Sequence, residues 1–329
     1  MQASKKEKYL FGPVPSRRLG LSLGVDIVPR KVCSLDCVYC QVGRSTEITI
    51  DRKEYVPVEA VISELKTKLA GGVQADFITI SGSGEPTLNS RIGDIIDEIK
   101  KITHIPIAIL TNGTLLFDKS VRADCAKADV VLPSLDAGDE ATFKKINRPH
   151  GDISIEKLIS GLCTFRQEYQ GQIWLEVFFI DGINTGDEQI AKIKDAIAKI
   201  QPDKVQLNTA VRPTAEEGVR KVQVEKLDAI AAKLGAKAEV IADFAAMPHK
   251  RGIKEQSETA GKSPSKGKNR KEALFSVLKR RPCSIEDLCS GLGWSRDEVL
   301  KHVNYLLEND TIISEEKSDI IYFRVKQGQ

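Results

Sequence analysis

The chain has 329 residues, 41% of them hydrophobic and 29% charged, with a net charge of +3. That is an ordinary globular composition, long enough for one large domain and a small one. No apolar run approaches the ~18 residues of a membrane span, and the N-terminal Met-Gln-Ala-Ser-Lys-Lys-Glu-Lys lacks the apolar core of a signal peptide. A cytoplasmic location is therefore expected. Thiols stay reduced there, so the seven cysteines read as metal ligands or buried thiols and not as a disulfide framework.

In chain order, short β-branched runs predict strands at 21–28, 77–81, 105–110, 130–134, 173–179, 204–208 and 238–241. Amphipathic spacing between them predicts helices over 58–69, 91–101, 119–126, 155–169, 187–200 and 224–234. Several strands are apolar on both faces, as a parallel sheet covered by helices requires. The expected fold is α/β: a partial (β/α)6-type, TIM-like barrel over 1–245. A doubly wound open sheet is the alternative that periodicity leaves open. Glu176 sits inside an apolar strand, which is costly unless it is paired or lines a cavity such as a barrel lumen.

Beyond the barrel, 246–271 reads as a basic, flexible linker. Between Lys250 and Lys271 it holds eight basic residues and two acidic ones. A helix is expected over 272–279, then Ser284 caps 285–290 and Ser295 caps 296–307. Strands at 311–314 and 320–325 follow. Three helices and a hairpin predict a small winged helix-turn-helix domain over 272–329. From Glu272 to Lys326 there are ten acidic and eight basic residues, a poor footprint for nucleic acid, so DNA is not the expected partner. Docking a substrate or a partner is the expected use of the tail. Cys125, Cys163, Cys283 and Cys289 stand without companion ligands and read as packing residues.

Cys33-Ser34-Leu35-Asp36-Cys37-Val38-Tyr39-Cys40 is a C-x3-C-x2-C run just after the first predicted strand. Three thiolates on one loop can ligate three irons of a cubane and leave the fourth open. A structural zinc site is the alternative, but it needs a fourth ligand, and no other cysteine or histidine occurs before His104. The Gly-rich turn Ser81-Gly82-Ser83-Gly84-Glu85-Pro86 follows the second strand. Thr111-Asn112-Gly113 and Ser134-Leu135-Asp136 end the third and fourth, and Asn208 ends a later one. Polar residues leaving the C-terminal ends of barrel strands are where such folds meet ligands.

The cysteine spacing, with the aromatic Tyr39 before the last cysteine, resembles the radical S-adenosylmethionine (SAM) superfamily. The resemblance implies a [4Fe–4S] cluster on Cys33, Cys37 and Cys40. SAM would then chelate the open iron and be cleaved reductively to a 5′-deoxyadenosyl radical that abstracts hydrogen from a substrate. It also implies SAM contacts from Tyr39, Gly82, Ser83, Gly84, Glu85, Asn112, Ser134, Asp136 and Asn208, and a low-potential donor such as flavodoxin or ferredoxin. Phe11-Gly12-Pro13-Val14-Pro15-Ser16-Arg17-Arg18-Leu19-Gly20, and Leu135-Asp136-Ala137 running on to Ile146-Asn147-Arg148-Pro149-His150, resemble the wyosine-related branch of iron–sulfur oxidoreductases over about residues 9–242. That branch is named for the enzyme that builds the tricyclic imidazoguanine of transfer RNA. Its synthetase carries a second cluster on upstream cysteines, and here no cysteine precedes Cys33. RNA is thus one expected substrate, with a peptide, a protein or a small metabolite as the alternative. Arg17, Arg18, Arg148 and His150 are candidates for an anionic substrate group. An iron–sulfur DNA-binding regulator is the reading from another class.

Overall fold

The computed structural model describes residues 9–242, 268–317 and 320–326. The expected linker lies outside the described residues as far as 267. Eight strands form one sheet in chain order. They are β1 Leu10–Ser16, β2 Gly20–Val25, β3 Phe77–Ile80, β4 Ile107–Leu110, β5 Val130–Leu132, β6 Gln172–Phe179, β7 Lys204–Thr209 and β8 Ala238–Val240. Only β1 is antiparallel to its neighbour; every other pair is parallel. The order never reverses, whereas a doubly wound sheet must switch direction. Right-handed crossovers that always advance the same way put every helix on one face and curl the sheet into a partial barrel.

The helices between the strands are α1 Val58–Ala70, α2 Ile92–Ile102, α3 Lys119–Cys125, α4 Glu140–Asn147, α5 Ile155–Glu168, α6 Asp187–Ile200 and α7 Val224–Leu234. Among the elements that go beyond the sequence reading are a helix and an edge strand. Helix α4 is short and polar, and it is started by Asp139, whose side chain accepts from the Thr142 N–H. Strand β1 contains Pro13 and Pro15, which argue against a central strand but are tolerated at the sheet edge that β1 occupies.

Strand alternation separates two cores. Ile107, Ile109, Val131, Ile173, Leu175, Val177, Phe179, Val205 and Leu207 join the large cluster that packs against the helices. The intervening Ala108, Val130, Leu132 and Trp174 form a separate cluster inside the barrel. Glu176, Gln206 and Asn208 share this inward register. The lumen is therefore apolar at one level and polar at the next.

The tail forms α8 Lys268–Leu278, α9 Ile285–Leu292, α10 Arg296–Glu308, and an antiparallel hairpin of β9 Ile312–Lys317 and β10 Ile320–Val325. The three helices and hairpin follow the expected order, although α8 starts at Lys268, ahead of 272. Ser284 caps α9 in a reciprocal box with Asp287, and Ser295 caps α10. The tail shares its apolar core with the barrel: Val14 of β1 is buried among Leu274, Val277, Leu278 and Leu288, with Phe11 packed alongside. At the other end, Arg212 in the loop after β7 forms a two-pronged pair with Asp287 at 2.9 and 3.4 Å. The Tyr322 hydroxyl donates to the Val211 carbonyl at 3.0 Å. The tail thus spans the side on which the sheet does not close. Cys125 and Cys283 are buried as expected, while Cys163 and Cys289 are partly exposed. No described helix is long and apolar enough to cross a membrane.

Arg212 is 3% exposed, so removing Asp287 would take from a buried guanidinium the carboxylate that holds it in two places. Asp287→Ala is expected to lower stability by about 3 kcal/mol and to raise amide exchange across 268–326. Burial opposes ionisation of Asp287, but Arg212 and then Arg281 hold its carboxyl below the usual range. Its contribution is therefore complete at neutral pH and is lost as pH falls through that lowered value. Hydrogen exchange measured against pH checks both points.

Candidate active site at the cysteine loop

The loop from Cys33 to Cys40 leaves the C-terminal end of β2 and is strapped down by the run Ile146–His150. Val38 N–H donates to the Ile146 carbonyl at 2.9 Å, Asp36 N–H to Asn147 at 3.0 Å, and His150 N–H to Ser34 at 2.9 Å. Each cysteine sulfur also meets an N–H donor. Asn112 Nδ2 is 3.6 Å from Cys33 Sγ, Asn147 Nδ2 is 3.4 Å from Cys37 Sγ, and Lys31 Nζ is 3.5 Å from Cys40 Sγ. Burial pushes the Cys33 thiol up to about 12 and the Cys37 thiol well above its ordinary value. Such thiols ionise only when a metal compensates them, and donors aimed at the sulfurs suit the resulting thiolates. Among the described residues, no three His, Cys, Asp or Glu side chains gather closely enough for a single ion. A cubane places its ligands on separate irons, so three cysteines each with its own donor fit a cluster.

Two buried carboxylates organise the surrounding loops. Glu85 is 2% exposed and caps the short 3₁₀ helix Pro86–Leu88. Its Oε1 accepts from Thr87 N–H at 3.0 Å and from the Thr87 and Thr111 hydroxyls at 2.6 Å each. Its Oε2 accepts from Asn112 N–H at 2.8 Å. Burial raises its pKa despite these donors. Glu85 therefore ties the Gly-rich turn to the loop after β4. Through Asn112, whose Nδ2 reaches Ser34 Oγ at 2.8 Å, that brace extends to the cysteine loop. The glycines have a local reason. A Cβ on Gly82 would collide with the Asp26 carboxylate, and one on Gly84 with the Val32 carbonyl.

Asp136, also 2% exposed, accepts from the Tyr39 hydroxyl at 2.6 Å, Asn147 Nδ2 at 2.7 Å and Phe178 N–H at 2.8 Å. Burial lifts its pKa to about 6. Tyr39 lies flat on Phe178, with ring centroids 3.9 Å apart. Tyr39 and Asp136 together fix the last turn of the cysteine loop against β5 and β6.

Glu176 is paired inside the barrel. Arg18 Nη1 contacts its Oε2 at 2.5 Å and Asn208 Nδ2 its Oε1 at 2.7 Å, while Asn208 Oδ1 accepts from Arg17 Nη1 at 3.1 Å. Burial, then Arg212, lowers Arg17 to about 10. Arg17 and Arg18 thus neutralise a buried carboxylate. Arg148 pairs with Glu216 at 2.8 Å, and His150 Nδ1 accepts from Asp152 N–H at 3.3 Å. Of the polar side chains expected to meet a ligand, only the half-buried Ser134 hydroxyl has no hydrogen-bond partner among the described residues. Ser83 is bound to Asp26.

The sequence reading passed over Asn147, Lys31, Thr87, Thr111 and Asp26 as site residues. Asn147 belongs to the Ile146–His150 run, where nothing local in the sequence distinguishes its amide from the charged Arg148 and the His150 imidazole.

This chain belongs to the radical SAM superfamily: residues 27–197 match the family model of that description. As a member it is an enzyme that works with a [4Fe–4S] cluster and SAM. It is 37% identical to the UPF0026 protein MJ1312 of Methanocaldococcus jannaschii, over 68% of this chain and 70% of that protein. It is also 35% identical, over 97% of its length, to a Brachyspira hyodysenteriae protein named GTPase Obg. It spans only 45% of that longer protein, to which the name belongs. Among solved structures, TYW1 with a lysine-pyruvate adduct bound superposes with a TM-score of 0.51 at 17% identity, covering 71% of this chain and 77% of that one, which is a likeness of fold.

Glu85→Ala would leave the Thr87, Thr111 and Asn112 donors buried without an acceptor. A loss of about 3 kcal/mol is expected, read as a lower Tm and reduced iron content after reconstitution. An unchanged Tm would show that the brace carries no load.

Proposed function

We propose that Cys33, Cys37 and Cys40 each hold one iron of the cluster and leave the fourth iron for SAM. The observation that carries this reading is the loop itself: three sulfurs, each with its own N–H donor, between two buried carboxylate braces. The cluster and SAM would supply one-electron cleavage of the sulfonium and a 5′-deoxyadenosyl radical for hydrogen abstraction. The chain's own part is positioning. The Gly82 and Gly84 carbonyls accept no hydrogen bond among the described residues and suit the SAM amino group. Ser134, at the end of β5, offers an uncommitted hydroxyl to the ribose or carboxylate. Asn112, Asp136, Asn208 and Glu85 act one step back by fixing these loops.

The electron would come from a low-potential donor of the flavodoxin or ferredoxin type. The substrate is an RNA base, a peptide or a small metabolite. We read the unit up to about residue 245 as catalytic and the tail from 268 as its lateral wall, in keeping with the polar pairs that tie the two together. DNA binding has less support, because Glu272 to Lys326 carries ten acidic and eight basic residues.

Anaerobically reconstituted, dithionite-reduced protein is expected to turn SAM into 5′-deoxyadenosine and methionine. Cys37→Ala should lose both the visible absorbance of the cluster and at least about 100-fold of that turnover. Turnover retained in Cys37→Ala would remove Cys37 from the ligand set.

A further inference from the structure

A cavity of about 280 Å³ opens beside Cys40, between the barrel and the tail. The barrel side contributes Arg30, Cys40 and Arg44, and the tail side Lys279, Arg280, Arg281 and Arg324. Glu315 is the one acidic residue lining it. Part of this positive charge is already matched. Arg44 pairs with Glu216, Arg280 with Asp26 at 3.1 Å, and Arg324 with Glu315 at 3.1 Å. Three cations are left over. Arg30 donates weakly to the Val42 carbonyl at 3.3 Å, and its buried Nε has no acceptor among the described residues. Burial, and then the charge of Arg324, lowers its pKa, while the Cys40 sulfur acts in the opposite direction. Arg281 makes no ion pair among the described residues; the carboxylate whose field reaches it, Asp287, is held by Arg212. Lys279 is exposed at the rim.

A buried guanidinium N–H with no acceptor among the described residues, in a cavity where cations outnumber carboxylates even with Cys40 at its edge, suits a bound anion. A wider groove of about 800 Å³ near His150 makes a useful contrast. There Lys144 pairs with Glu140, Arg148 with Glu216, and Lys157 donates to the Asp152 carbonyl, so its charge is spent locally.

We propose that the cavity between Arg30 and Arg281 binds a phosphate group of the substrate, and that the tail exists in part to complete this site beside the cysteine loop. Guanidinium forks from two sides match the several oxygens of a phosphate better than a single carboxylate. The volume accommodates a phosphorylated small molecule and is too small for a folded partner. The inference deepens the function proposed above and rests on it for the nearness of this site to the chemistry. It names the substrate class as a phosphorylated metabolite and moves anion recognition from Arg17, Arg18 and Arg148, which are paired, to Arg30 and Arg281.

The test is calorimetric titration of inorganic pyrophosphate into the full-length, cluster-loaded protein under anaerobic conditions. We expect binding at about 1 mM or tighter that weakens with salt. Arg30→Gln and Arg281→Gln, measured separately, should each weaken it about tenfold or more, while Lys144→Gln in the other groove leaves it unchanged. Lys279→Ala at the exposed rim provides a variant that does not threaten folding, and it should weaken binding by about threefold. Absence of pyrophosphate binding, or binding untouched in all three cavity variants, would overturn the proposal. So would binding of a single-stranded RNA oligonucleotide that pyrophosphate does not displace. Production of 5′-deoxyadenosine by the parent protein is scored separately, so failure of the radical reading and failure of the phosphate site give different results.

Discussion

The structure depends on holding one short loop open while burying almost everything that holds it. Three cysteines fall within eight residues, and burial disfavours the charged form of two of them, Cys33 and Cys37, until metal arrives. The chain meets this constraint with neutral amide and ammonium donors at the sulfurs, and with carboxylates placed one step away. Asp136 and Glu85 do not touch the sulfurs. They anchor Tyr39, Asn147, Thr111 and Asn112, which do the holding. Direct carboxylate contacts would repel the thiolates, whereas a relay through amides does not.

The barrel supplies the geometry for this arrangement. Because the strands advance in one direction, the ends of β2 to β7 face a common space, and residues far apart in sequence meet there. Inward positions change from Ala108, Leu132 and Trp174 to Glu176 and Asn208 along the lumen. That change gives a dry floor and a polar upper level. Glu176 is retained because Arg18 and Asn208 share its charge. The tail then closes the lateral opening, joined to β1 by apolar packing and to the loop after β7 by the Arg212–Asp287 pair.

Much of this could be read from the residues. The alternation of βα units predicts the barrel, and the one feature it leaves undecided, open sheet or barrel, is settled by a strand order that no periodicity reveals. The cysteine run is legible because its chemistry is local: three thiolates on one loop point to a bound metal group, and the resemblance of their spacing to the radical SAM superfamily selects a cubane over zinc. Glu85, Asn112 and Asp136 stand out in the sequence as polar residues at strand ends. Their partners do not, since Glu85 meets Thr111 and Asp136 meets Tyr39 only after long crossovers fold back. For the same reason Arg17 and Arg18 look like free anion-binding groups in the sequence, whereas Arg18 is the counter-charge of Glu176 and Arg17 donates to the Asn208 carbonyl oxygen. Strand β1 was hidden by its prolines, and the shared core of Val14 with the tail had no local signal at all.

The most direct measurement is Mössbauer spectroscopy of iron-57-reconstituted, oxygen-protected protein with and without SAM. A cubane on three cysteines should show one iron site in four changing its isomer shift and quadrupole splitting when SAM is added. Four equivalent sites indifferent to SAM would contradict the account, and so would zinc bound in place of iron.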